Sequence, residues 1–136
     1  MRTTRKNTAA FEARLRAELR GAVTRAAIMV QDEAVRLVSQ QSSPPPSEPG
    51  EPPHLDTGTL ARSIDWEVED QPRSIVGRIG TNLDYGRYLE LGTSIMAPRP
   101  YLRPALDRMR PHIQLMFRQA GRRASRQQGS GVRRGR

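Results

Sequence analysis

Residues Tyr85–Ala105 read YGRYLELGTSIMAPRPYLRPA, which lays out a short helix, a stop, a stiff extended segment and a second helix start. Tyr85, Tyr88 and Leu89 fall at i, i+3 and i+4, so they share a helical face expected to pack on a sheet and on the next helix. Gly92 stands where a helix end needs a residue that tolerates positive φ. Pro98 and Pro100 bracket Arg99 and push Ala97 and Arg99 toward extended backbone, a strut that would hold the Arg99 side chain out. Pro104 suits the first turn of the following helix, where its missing N–H costs little. The block has the marks of a packing and docking element, not of a catalytic one.

Working upstream, Ile64, Trp66 and Val68 alternate with Asp65, Glu67 and Glu69, the period-two pattern of a half-buried strand. Asp70-Gln71-Pro72-Arg73 is expected to turn the chain, and Ser74–Thr81 to return with Ile75, Gly77 and Ile79 on one face. Two strands alone are marginally stable, so they need helices over them, a further strand or a neighbouring subunit. Asp56 or Thr57 is expected to cap a short helical turn just before them.

Residues 42–56 form the clearest break: Ser42–Pro53 alone hold six prolines, a composition that favours an extended loop with no core of its own. Two readings stay open, a projecting arm that touches a neighbour and an inert surface insertion. Before it, a helix is expected from about Thr8, as N-cap, to Gln41, with Phe11, Leu15, Leu19, Ala22, Ala26, Val30, Ala34 and Leu37 on its apolar stripe. At 1.5 Å per residue it would reach about 50 Å, longer than a domain of this size needs. The excess stripe meets either another subunit or a core of its own.

Downstream, Leu102, Leu106, Met109, Ile113, Met116, Phe117 and Ala120 mark the apolar face of a last helix. Pro111 is expected to kink or restart it, and Gly121 to end it. Residues 122–136 contain Arg122, Arg123, Arg126, Arg133, Arg134 and Arg136 and no acid, the composition of a disordered tail. That tail is either a contact for an acidic partner or DNA, or a solubilising appendage. Residues 1–7 read as a shorter basic tail, leaving 8–121 as the folded domain.

The net charge of +9 is unevenly spread. Residues 31–90 hold five bases and eleven acids, whereas residues 91–136 hold eleven bases and one acid. Such polarity suits a molecule with distinct faces that stacks head to tail or meets acidic partners. Of the 23 bases only Lys6 is not arginine, which GC-rich coding explains as well as recognition does. The absence of cysteine excludes disulfide frameworks and thiolate zinc sites. No apolar run is long enough to span a membrane, so a soluble chain is expected.

The pattern YxxYLExGTxxMxxRPYLRPA resembles the head–tail joining (neck or tail-completion) family of long-tailed bacteriophages. It is carried here by Tyr85, Tyr88, Leu89, Glu90, Gly92, Thr93, Met96, Arg99, Pro100, Tyr101, Leu102, Arg103 and Pro104. A second family element, T-G-x-L-x-x-S-I, is present as Thr57, Gly58, Leu60, Ser63 and Ile64. The resemblance covers roughly residues 8–121 and is strongest over 57–106. Three features depart from it: the proline-rich insertion, Pro111, and Gly86 in place of a small residue such as alanine. The last is expected to loosen the short helix by about 1 kcal/mol.

The expected fold is α+β: a long N-terminal helix, a small antiparallel sheet built on a β-hairpin, a short middle helix and a C-terminal helix. The resemblance implies a structural subunit of the phage neck, six or twelve copies of which form a ring joining the capsid connector to the tail. Its implied partners are connector, tail-terminator and tail-tube proteins, with DNA passing through the lumen. Its implied place is the virion, after assembly in the host bacterial cytoplasm. It implies no cofactor and no small-molecule substrate.

Two other functions compete. Arginine-rich ends give sequence-independent phosphate affinity, but 4% aromatic content supplies few stacking platforms for a nucleic-acid binder. Asp56-Thr57-Gly58 matches the aspartic-protease triplet, yet the helical periodicity and the lack of a glycine-rich flap point away from that fold. His54 and His112 have no partners at metal-ligand spacing. No catalytic residue, metal site or enzyme activity is expected.

Overall fold

A computed structural model describes residues 2–41, 45–54 and 58–129. Asp56 and Thr57, and with them the protease triplet's aspartate and the expected cap, lie outside the described residues, as do Arg133, Arg134 and Arg136. The architecture is α+β, in the order α1 (Arg2–Val38), α2 (Thr59–Ser63), β1 (Ile64–Gln71), β2 (Ser74–Thr81), α3 (Asp84–Leu91) and α4 (Leu102–Gly129).

The hairpin is antiparallel in a register running from Ile64 opposite Thr81 to Gln71 opposite Ser74. Its turn is tighter than expected, since Asp70 and Gln71 stay in β1 and only Pro72 and Arg73 reverse the chain. Among the described residues the sheet has these two strands alone, so its stability comes from α1. A Cβ on Gly77 would sit 3.0 Å from Val23 Cγ1 and 3.8 Å from the Ala27 Cβ, so the helix lies directly on the strand. Polar ties pin both ends. Arg20 pairs with Asp70 at 2.6 Å, Arg16 donates to the carbonyls of Gln71 and Pro72, and Gln31 Nε2 donates to the Ile64 carbonyl at 2.9 Å.

On another side of α1 lies α4. Glu33 of α1 meets Arg108 of α4, while Phe11 and Leu15 line one groove with Arg118, Arg122 and Arg126, so the two helices run antiparallel. Both helices bury small residues: Ala22, Ala26 and Ala34 on α1 and Ala105, Ala120 and Ala124 on α4 are all at most 6% exposed. Alanine lets the backbones approach closely and adds no side-chain entropy loss. The main apolar cluster sits where α1 ends and α4 begins, among Val30, Leu37, Val38, Ile64, Leu89 and Tyr101.

Three boundaries differ from the sequence expectation. Helix α1 starts at Arg2, so Thr8 lies inside it and is not its N-cap, and it ends at Val38, short of Gln41. Once nucleated, a helix propagates through mediocre residues such as those of TTRKN. Helix α4 runs through Pro111 and Gly121 to Gly129. Pro111 is on the exposed side, where the Asp107 carbonyl it frees can bond to water. Gly121 is carried because buried Ala120 and Ala124 hold the helix down on either side of it. Arg122, Arg123 and Arg126 therefore stand on a helix and not in an unstructured tail.

The described part of the proline-rich loop, residues 45–54, is folded back on the molecule and is not a projecting arm. The Gly50 N–H donates to the Pro98 carbonyl at 2.9 Å, Ser47 and Pro53 are buried, and His54 Nδ1 lies 2.6 Å from the Pro45 carbonyl.

Candidate assembly surfaces

The Tyr85–Ala105 block folds as one rigid corner. Gly92 ends α3 at φ 74°, and its N–H donates to the Tyr88 carbonyl at 2.7 Å. The chain then loops through Thr93 and Met96, which exchange backbone hydrogen bonds, and returns so that the Arg99 N–H donates to the Leu89 carbonyl at 2.6 Å. Glu90 closes the corner. Its Oε2 accepts the N–H groups of Tyr101 and Leu102 at 2.7 and 2.9 Å, and its Oε1 accepts that of Arg103 at 2.9 Å. A carboxylate from α3 thus caps three orphan donors at the start of α4 and complements its dipole.

Tyr101 is fully buried, and its hydroxyl donates to the Gly86 carbonyl at 2.9 Å. Burial first, and the Glu90 charge second, push that phenol well above its ordinary pKa, so it remains a donor. Gly86 is required by this closeness. A Cβ there would lie 2.6 Å from Thr81 Cγ2, 2.8 Å from Leu60 Cδ1 and 2.9 Å from the Tyr101 hydroxyl. The residue expected to loosen α3 is the one that lets it close on its neighbours. Leu60 and Thr81 meet the block here, and Ser63 Oγ ties them by bonding to the Leu60 carbonyl and to Thr81 Oγ1. Gly58, at φ 79°, occupies the N-cap position of α2.

Two expectations for this block are overturned. Tyr85 and Tyr88 are not packed inward with Leu89: Leu89 is 4% exposed, but the tyrosines are 61% and 49% exposed. The inward face of α3 is Gly86 and Leu89, since Tyr101 fills the space that an inward tyrosine would take. Nor is Arg99 held out from a strut. It is half-buried, with Nη1 reaching Ser47 Oγ of the folded loop at 3.4 Å. The result is an apolar knob: Tyr85, Tyr88 and Leu91 line the outer face of α3, and Ile95 caps the next loop almost fully exposed.

Two charged surfaces lie elsewhere. The outward face of the hairpin carries Asp65, Glu67 and Glu69 against one base, Arg78, which pairs with Glu69 at 2.6 Å and Glu67 at 3.5 Å. The exposed side of α4 carries Arg118, Arg122 and Arg126 at successive i+4 positions, with Arg123 also exposed, and no acid follows Asp107 in the chain.

Glu33 is a structural ion-pair residue the motifs did not single out. Nearly buried on the apolar stripe of α1, it accepts Arg36 Nε and Nη2 at 2.9 and 2.6 Å and Arg108 Nη1 at 3.1 Å. The Arg36 hydrogen bonds hold its pKa below the ordinary value of 4.5 against the opposing effect of burial, and Arg108 adds to the lowering. The signal was present in the sequence as a carboxylate inside an otherwise apolar stripe.

Among the described residues no group of three or more His, Cys, Asp or Glu side chains is placed to hold a metal ion, and no helix is long and apolar enough to cross a membrane. The family model described as "Bacteriophage HK97-gp10, putative tail-component" matches residues 3–92, about two thirds of the chain. The chain belongs to this family of bacteriophage tail components. No curated protein and no solved structure matches it. The family segment spans α1, the hairpin and α3, beginning earlier than the resemblance at residue 8 and ending at Gly92. Thr93–Pro104 and α4 lie beyond it. For a phage tail component, a structural role in the virion follows.

Proposed function

We propose that this tail component is a subunit of the phage neck, several copies of which form a ring that joins the capsid connector to the tail. The observation that carries this reading is the apolar knob of Tyr85, Tyr88, Leu91 and Ile95, held on a corner that Glu90, Gly92 and Tyr101 make rigid. Large apolar side chains gathered on a stiff, exposed corner are surface that a free subunit gains nothing from showing and an assembly gains by burying. The motif residues then act by holding this shape, and the knob is offered to the next protein along the tail axis. Helix α1, at 37 residues about 55 Å long, supplies a further surface for neighbours.

A phage carrying a disrupted copy of this gene tests the reading. Filled heads and complete tails should accumulate unjoined, and adding the purified protein to such a lysate should restore joined particles. Normal joining without the protein would remove it from the neck.

A further inference from the structure

Resting on the ring reading above, we infer that copies of this chain join head to tail through charge, the hairpin of one subunit lying against α4 of the next. Asp65, Glu67 and Glu69 alternate along β1 and point away from α1, with Arg78 offsetting one of their three charges. On α4, Arg118, Arg122 and Arg126 form a row on the exposed side, with Leu115 one turn before them at 48% exposed.

The two rows match in pitch. Alternate residues of a strand are spaced about 6.7 Å apart. Residues four apart on a helix rise about 6 Å. Three carboxylates can therefore lie beside three guanidinium groups with little slip. The arginine row also borders Phe11 and Leu15 of α1, so the groove joins apolar surface to charge. That combination fits a protein face better than a phosphate backbone.

The rows belong to different sides of the molecule. In α1, Arg16, Arg20, Val23, Ala27 and Gln31 meet the hairpin, whereas Phe11, Leu15 and Glu33 meet α4. At 100° per residue these two sets lie roughly a third of a turn apart around α1. One subunit therefore cannot satisfy its own rows. Two complementary patches in different places on one chain make a heterologous contact, which generates a ring when the rotation between copies closes.

Charge reversal tests this on the full chain. One variant carries Glu67→Arg and Glu69→Arg, the other Arg118→Glu and Arg122→Glu, with circular dichroism confirming that both stay folded. Light scattering across a concentration series reads assembly, with and without duplex DNA. The wild type should associate, and more weakly as salt rises. Each variant alone should need at least about tenfold higher concentration. An equimolar mixture should recover assembly, because each variant then offers the other an opposite charge at both contacts. Folded variants that assemble as the wild type does, or a mixture that fails to rescue, overturn this contact and leave the ring reading standing. An arginine reversal that abolishes only DNA binding assigns that row to DNA and overturns the contact as well. A wild type that stays monomeric in every condition counts against the ring itself.

Discussion

Glu90 Oε2 accepts the backbone N–H of Tyr101 at 2.7 Å, so the last turn of α3 caps the first turn of α4 across ten intervening residues. One side chain thus sets the angle between the exposed knob and the longest seam of the molecule. Glu90→Ala strands three N–H groups and removes a charge from a helix N-terminus. It should lower stability by about 1–3 kcal/mol, with Glu90→Gln intermediate, read as denaturant midpoints. Equal midpoints for all three proteins would mean that solvent caps α4 equally well.

Gly86→Ala tests the closeness of α3 to its neighbours. Helix propensity alone favours alanine by about 1 kcal/mol. The Cβ would press on Thr81, Leu60 and the Tyr101 hydroxyl, which should reverse the sign and destabilise by about 1–3 kcal/mol. Tyr101→Phe, which deletes only the hydroxyl bonded to the Gly86 carbonyl, should cost about 1 kcal/mol. Thermal melts of both variants decide it, and a gain in stability for Gly86→Ala would show that the packing there is loose.

The two sides of α3 should separate stability from assembly. Leu89→Ala opens the core and should cost about 2–5 kcal/mol. Tyr85→Ser with Tyr88→Ser should leave the melting temperature within a few degrees but abolish head–tail joining in a complementation assay. Loss of stability in the double tyrosine variant would place those rings in the core after all.

Acid should act through Glu33. Its folded-state pKa is depressed, so the stability it contributes is fully present above its ordinary value of 4.5 and is lost as pH falls through the lower folded value. Unfolding midpoints should therefore drop below about pH 4.5, and Glu33→Gln should flatten that part of the profile while lowering stability at pH 7 by about 1–2 kcal/mol. The cost stays modest because Arg36 and Arg108 are about half exposed and can hydrate when the carboxylate is gone.

The hairpin was legible because alternation from Ile64 to Glu69 has a single physical meaning, and Gly92 was legible because few residues tolerate the φ that ends α3 there. The inward face of α3 was not. Tyr85, Tyr88 and Leu89 share a stripe, but Tyr101 arrives from beyond Gly92 to fill the space, and spacing within a helix says nothing of what packs on it. Helix ends were misplaced for a related reason. Thr8 and Gly121 carry cap-like preferences worth about 1 kcal/mol, which continued packing and propagation override. Ala124, fully buried beyond Gly121, now places a cut after Gly121 inside the fold, so that truncation should destabilise the protein and not merely remove a tail. The knob, the acidic face of β1 and the arginine row on α4 were visible as residues, but their placement on separate sides of the molecule needed the three-dimensional arrangement.

A single-particle reconstruction of the head–tail junction in intact phage decides whether this chain forms the neck ring. A closed ring of density should lie between connector and tail. Each repeat should accept α1 beside an antiparallel α4, with the hairpin on a different side of α1. A junction built without this chain, or purified virions from which it is absent, would show that the protein is not a neck subunit.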